Sequence, residues 1–139
     1  MIIKQISIFI ENKPGRLAEV TDIIAKNNIN MHALTLADTS NYGILRIIVD
    51  DANKVEQILK ENGLSVSINS VISVCVEDRP GGLSEILKIL SAENIDIKYM
   101  YAFVSKSNIE SAYVVMRIEK DFKAVEVLKT AGYTGLNID

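Results

Sequence analysis

The chain has 139 residues, 48% of them hydrophobic and 24% charged, with a formal net charge of −3. That is room for one ordinary domain or two small ones, in a composition that folds rather than one that stays disordered. The acidic balance argues against a nucleic-acid partner, one cysteine (Cys75) excludes an internal disulfide, and one histidine (His32) leaves a multi-ligand metal site short of ligands.

The opening MIIKQISIFI has no small-residue cleavage site, and no apolar run approaches the roughly 20 residues that span a bilayer. A cytoplasmic protein without a membrane partner is the expectation. QISIFIE then alternates at period two, which places Ile6, Ile8 and Ile10 on one face of a half-buried strand. After ENKPG the period changes, and Leu17, Val20 and Ile24 form a helical stripe. NINMHALTLA returns to a strand, the hairpin ADTSNYG (Ala37 to Gly43) turns the chain, and ILRIIV is a third strand. A second helix runs from about Ala52 to Asn62 and is stopped by Gly63, and SVSI makes a short closing strand.

The same series then repeats. At an offset of 66, Ile72, Val74 and Val76 repeat the isoleucine stripe, Glu77 repeats Glu11, and Leu83 and Leu90 repeat Leu17 and Ile24. Asn94 repeats Asn28, and Ile95-Asp96-Ile97 repeats Ile29-Asn30-Met31. From LKENG to LKTAG the offset is 69, so KSNIES (Lys106 to Ser111) carries three extra residues. AYVVMRI, a helix from about Phe122 to Ala131 ended by Gly132, and a closing strand YTGLNI complete the second copy. The chain is thus an α+β duplication of two ferredoxin-like βαββαβ units, 1–69 and 70–139, each an antiparallel sheet with its helices on one face. Within SVSINSVISVCVE, Asn69-Ser70 is the expected break. Units of this size are marginal alone, so packing of the two units and homodimerisation are further expectations.

Both prolines of the chain, Pro14 and Pro80, stand in the phrases ENKPGRL and EDRPGGL. Proline suits a first helical position, glycine lets another group approach the backbone, and Asn12 or Asp78 is placed to cap the helix. A helix start with uncovered N–H donors can receive a small carboxylate; the same phrase is equally good punctuation.

A Pro-Gly turn after the first strand, followed by NIN or NID at the start of the next, resembles the ACT domain. The resemblance covers nearly the whole chain as two tandem units. It rests on Asn12, Pro14, Gly15, Leu17 and Asn30 in the first, and on Asp78, Arg79, Pro80, Gly81, Leu83 and Asp96 in the second. It implies a regulatory protein without catalytic activity or cofactor, which binds a free amino acid between ACT units near the first turn and acts on an enzyme of amino-acid metabolism. The ligand contacts it implies are Asn12, Lys13, Pro14, Gly15 and Asn30, with Asp78, Arg79, Pro80, Gly81, Gly82, Leu83 and Asp96 in the second copy. In serine-binding members the equivalents of Asn12 and Asn30 act with a histidine whose place Ile10 and Val76 take here, which disfavours serine. With Asp78 and Asp96 for the two asparagines, the copies are expected to differ as sites, the second favouring an ammonium.

Other candidates have plainer readings. His32 aligns with Lys98, so its position tolerates charge. Tyr99 and Tyr101, on one strand face with Ile97, suit packing better than a ligand wall, and Cys75 fills space opposite the isoleucine stripe. Arg46 and Arg117 are expected in edge or interface ion pairs. Catalysts of this topology need an arginine-bearing glycine-rich phosphate cradle, RNA binders need a basic aromatic face, and copper carriers need a C-x-x-C pair; none of these is present. The alternative is a structural adaptor whose units mediate oligomerisation or enzyme binding without a ligand.

Overall fold

A computed structural model describes residues 1–38, 41–106 and 108–136; parts of ADTSNYG, KSNIES and YTGLNI lie outside the described residues. By its contacts the chain forms two compact units, one from Lys4 to Asn69, the other from Ser70 onward together with Met1–Ile3.

The first unit is built on β1 (Ile2–Glu11), β2 (Met31–Asp38) and β3 (Tyr42–Val49), with α1 (Arg16–Lys26) and α2 (Ala52–Glu61). β3 lies between β1 and β2 and is antiparallel to both. Ile6, Ile8 and Ile10 meet Val20, Ile24, Leu45, Ile47, Val55 and Leu59 in one core, so the period-two stripe and the helical stripe face each other. β4 (Ser65–Glu77) belongs to the first unit up to Asn69 and to the second from Ser70. In the second unit, β6 (Ser111–Ile118) separates that later part of β4 from β5 (Ile97–Val104), and α3 (Gly82–Ala92) and α4 (Asp121–Thr130) supply the helices. Its core repeats the first with Ile72, Val74, Val76, Ile86, Leu90, Met116 and Leu128.

Three expectations are corrected. The two units divide at Asn69-Ser70 as expected, but the strand does not end there: β4 is one strand of 13 residues. Asn69 Oδ1 accepts a hydrogen bond from Ser7 Oγ at 3.0 Å, and Ser70 O accepts one from Arg117 Nη1 at 2.9 Å. Polar residues that read as a turn are thereby satisfied in extended backbone, Arg117 serving the Ser70 carbonyl. Tyr133–Leu136 is not a strand; the Cys75 N–H of β4 donates to Thr134 O at 2.7 Å and the Leu136 N–H donates to Ser73 Oγ at 3.0 Å. Ile97 does not share a face with Tyr99 and Tyr101. The register slips between Ile97 and Tyr99, as it does between Met31 and Ala33, so Ile97 packs on the second core while Tyr99 pairs with Arg117. A bulge inserts one residue and reverses the alternation.

All four helices end alike. After α1, α2, α3 and α4 a residue with positive φ follows the cap: Asn28 (55°), Gly63 (80°), Asn94 (54°) and Gly132 (93°). The next amide donates back to Ile24, Leu59, Leu90 and Leu128 respectively, at 3.0–3.2 Å, which is the Schellman closure. The repeated asparagines are therefore the left-handed residues of two helix ends. Asparagine tolerates this conformation and alanine does not, at about 1–2 kcal/mol. Asn94→Ala is expected to lose about 1 kcal/mol and Asn94→Gly to lose nothing. Urea midpoints of the two variants check this, and an alanine variant as stable as wild type would refute it.

Candidate functional site

Each unit turns from its first strand into its first helix through a type II β-turn. Arg16 N–H donates to Lys13 O at 3.2 Å across Pro14-Gly15, and Gly82 N–H donates to Arg79 O at 3.1 Å across Pro80-Gly81. Gly15 has φ 83° and ψ −12°, and Gly81 has φ 87° and ψ −10°. Proline fixes the first turn position and glycine supplies the positive φ of the second. This corrects the reading of Pro14 and Pro80 as first helical residues: glycine is the N-cap, and proline stands ahead of it. Nor do Asn12 and Asp78 cap the helices, neither of which has a side-chain cap. Their own amides instead donate to Asn41 O at 3.4 Å and Glu110 O at 2.7 Å, tying each turn to the neighbouring hairpin.

The glycine cap leaves donors uncovered. The first helical bonds run from Glu19 N–H to Gly15 O and from Glu85 N–H to Gly81 O, both at 3.0 Å. The amides of Leu17 and Ala18, and of Leu83 and Ser84, have no hydrogen-bond partner among the described residues. They add to the partial positive charge of a helix start. Beside them Leu17 and Leu83 are 38% and 37% exposed, partly apolar flanks rather than core. At Gly15 nothing stands within 4 Å of where a Cβ would be, and at Gly81 only Arg79 Nη1 does, at 3.7 Å. A groove of about 530 Å³ bordered by Arg79, Gly81, Leu83, Ser84, Lys88 and Ser91 runs along α3.

The charges of the two corners are arranged differently. In the first, Lys13 Nζ pairs with Glu11 Oε2 at 2.9 Å and Arg16 Nη1 with Glu19 Oε2 at 2.8 Å. The hydrogen bond from Lys13, then its charge, holds the Glu11 carboxyl below the ordinary carboxylate range. In the second, Gly82 replaces Arg16, and Arg79 alone donates to Glu77 and, through Nη2, to both oxygens of Glu85 at 2.8 and 3.0 Å. Glu85 first and Glu77 next push the guanidinium pKa further up. Sequence reasoning missed Arg16, Glu19 and Glu85 as corner residues. The recurrence of Glu19 as Glu85, at the same offset as Glu11 and Glu77, was the available signal.

Asn30 and Asp96 do not lie at these corners. β1 ends with Glu11 opposite Tyr42, at the start of β3, while β2 begins with Met31 opposite Val49, at its end. The eight residues of β3 separate the two places by roughly 25 Å. In the second unit Glu77 meets Ser111 and Ile97 meets Ile118, the same arrangement. The structure thus brings Asn12, Lys13, Pro14 and Gly15 together, and Asp78 to Leu83 together, with Asn30 and Asp96 at the far ends of their sheets. The bulge beside each carries a repeated polar contact. His32 Nε2 lies 2.9 Å from Asp50 Oδ1, and Lys98 Nζ lies 3.5 Å from Asp96 and 3.6 Å from Glu119. Among the described residues no cluster of three metal-ligating side chains occurs, and no helix is long and apolar enough to cross a membrane.

Residues 1–134 match the family described as an ACT domain pair. A crystallised protein of Bacteroides thetaiotaomicron is 45% identical, covering 98% of this chain and 92% of its own, with a TM-score of 0.90. The regulatory subunit of aspartate kinase from Thermus thermophilus, in its ligand-free form, shares the fold at 14% identity, covering 95% of this chain and 97% of its own, with a TM-score of 0.66. A probable acetolactate synthase small subunit of Archaeoglobus fulgidus is 27% identical over an alignment 110 residues long, covering 66% of this chain and 69% of its own.

Proposed function

Since this chain belongs to the family of paired ACT domains, we propose that it is a regulatory protein that binds a free amino acid and performs no chemistry of its own. The observation that carries this reading is the pair of unpartnered amides, Leu17 and Ala18, beside the open space at Gly15. The ligand carboxylate accepts from these amides, and its flank rests on Leu17. Its ammonium meets side-chain oxygens of the asparagine class, Asn12 and Asn30. Those two stand at opposite ends of one sheet, so a ligand touching both takes a corner from one unit and a β2 start from another, in this chain or a second copy. Binding then favours the arrangement of units in which the site is complete, which is how a small molecule moves an equilibrium. The similar protein named as a probable acetolactate synthase small subunit supports an enzyme of amino-acid metabolism as the partner; a homo-oligomer in the cytoplasm completes the proposal.

A thermal-shift screen with each of the twenty amino acids tests it. One or a few are expected to raise the Tm of wild type and to lose that effect in Gly15→Val, where a branched side chain is forced to positive φ and fills the space over the amides. A flat response at millimolar ligand would refute amino-acid binding.

That result would favour the second reading, an adaptor that binds no ligand. β2 and β5 each pair on one side only within their three-stranded sets, with β3 and β6. They expose Leu34 (55%), Leu36 (49%), Met100 (43%) and Val104 (70%). Edge strands of this kind recruit partners.

A further inference from the structure

We infer that Met1–Ile3 is a clasp of the second unit: the first residues of β1 hold an edge of β4, so the closure of that unit depends on a strand whose other residues build the first. The inference stands on main-chain bonds, packing and burial, and it holds whether or not an amino acid binds.

β1 changes its buried side along its length. Ile6, Ile8 and Ile10 lie in the first core, and period two carried back from them would bury Lys4 and Ile2. Instead Lys4 and Ile2 are exposed, whereas Ile3 and Gln5 are buried. Successive side chains of a strand point to opposite faces, so a switch of the buried face means that the two ends pack differently. The switch accompanies a change of unit: Lys4 opens the first unit by its contacts, whereas Met1–Ile3 belongs to the second. The Met1 side chain packs against the second core, which contains Ile72, Val74 and Leu128.

The second unit needs that contribution. In the first copy the closing segment SVSI is regular strand, the start of β4, whereas its counterpart Tyr133–Leu136 is not strand. β6 covers one side of β4. On the other side the Ser73 N–H donates to Met1 O at 2.8 Å and the Cys75 N–H to Thr134 O at 2.7 Å. One strand edge thus takes its acceptors from two segments that are remote in the chain. At Gly135 these segments meet with no room for a side chain: a Cβ there would lie 2.3 Å from Ser73 O, 2.7 Å from Met1 Cγ and 2.8 Å from Met1 Cα. Ser73 is fully buried, so without Met1 its amide is a buried donor that has lost its acceptor, which is costly. Water reaches that amide only if the edge opens, and an open edge is a template for a strand of another chain. The clasp is what keeps this edge closed.

The test is native-state hydrogen exchange of the full ¹⁵N-labelled chain, compared with two variants. One lacks Ile2 and Ile3, so that Met1 adjoins Lys4; the other is Ile6→Ala, farther along the same strand. The amides read are Leu45 and Ile47 of β3 and Val114 and Met116 of β6, the middle strands of their units. The two cores are separate clusters, so each is expected to open on its own. Removing the clasp is expected to speed Val114 and Met116 at least about tenfold and to change Leu45 and Ile47 less than about threefold. Ile6→Ala, which empties a place in the first core, is expected to do the reverse. If the shortened chain fails to fold, Ile3→Ala, which truncates a buried side chain of the clasp, is read by the same ratio. Unchanged exchange of Val114 and Met116, or equal acceleration of β3 and β6, would overturn the inference, because the first residues of β1 would then be an ordinary strand end of the first unit.

Discussion

Leu59→Ala and Leu128→Ala are each expected to lower the free energy of unfolding by about 2–5 kcal/mol. Both side chains are fully buried, each in the core of its own unit, Leu59 beside Ile6, Ile47 and Val55, and Leu128 beside Ile72, Met116 and Ala124. Truncation removes the transfer energy of the lost carbons and leaves a cavity that close-packed neighbours fill only in part. Both leucines also sit three places before a helix C-cap, Asn62 or Ala131. Their carbonyls accept the amides of Leu64 and Tyr133, at 3.1 and 3.0 Å, and those two residues pack on the same cores. Truncating the leucine thus loosens the helix closure and the core at once. Leu17→Ala and Leu83→Ala are the matched controls: their side chains are more than a third exposed, and each should cost less than about 1 kcal/mol. Urea denaturation of the four variants separates the sets. A loss at Leu59 or Leu128 no larger than at Leu17 would mean that the two stripes do not form the cores described.

How far such features could be read from the sequence depends on their range. The isoleucine stripes, the helical stripes and the stops at Gly63 and Gly132 are local, each set by the geometry of a few adjacent residues, and they are found where periodicity and positive φ place them, except that Leu17 and Leu83 at the helix starts lie outside the cores. Pro14-Gly15 is local too but ambiguous, because the φ that proline fixes suits a first helical residue and the first position of a type II turn alike. The bulges at His32 and Lys98 leave no mark on a count of alternating residues, so Ile97 is assigned to the wrong face. Asn69-Ser70 reads as a break because its polar groups have no partner in the neighbouring sequence. Ser7 and Arg117, which satisfy them, are remote in the chain. At the candidate site the turn itself was legible. The separation of Asn12 from Asn30 was not, since it follows from which strand lies between which. The pairing of Arg79 with Glu77 and Glu85 depends on where the first turn of α3 falls relative to the end of β4, and the repetition of Glu19 as Glu85 is its trace in the sequence.

Gly82→Ala puts two local rules in opposition, and the sign of its effect decides between them. By helix propensity alone, alanine at the first position of α3 should stabilise by roughly 0.5–1 kcal/mol. By contact, the new Cβ would lie 2.3 Å from the Glu77 carbonyl oxygen and 3.4 Å from its carbon. Both are backbone atoms at a strand end, so they cannot rotate away as a side chain could. The turn must open or the helix start must shift, at a cost typical of overpacking, about 1–3 kcal/mol. Contact should win, and Gly82→Ala is expected to be destabilised by about 1–2 kcal/mol in thermal or urea unfolding. Arg16→Ala is the control at the matching place: it keeps a Cβ already accommodated and loses only an exposed ion pair, at less than about 1 kcal/mol. The comparison bears on the charges of the turn as well as its stability. With Gly82 where the first unit has Arg16, Glu85 draws on Arg79 instead. If Gly82→Ala were stabilised, the Glu77 carbonyl would not approach the helix start closely enough to exclude a side chain, and an arginine could stand there as Arg16 does.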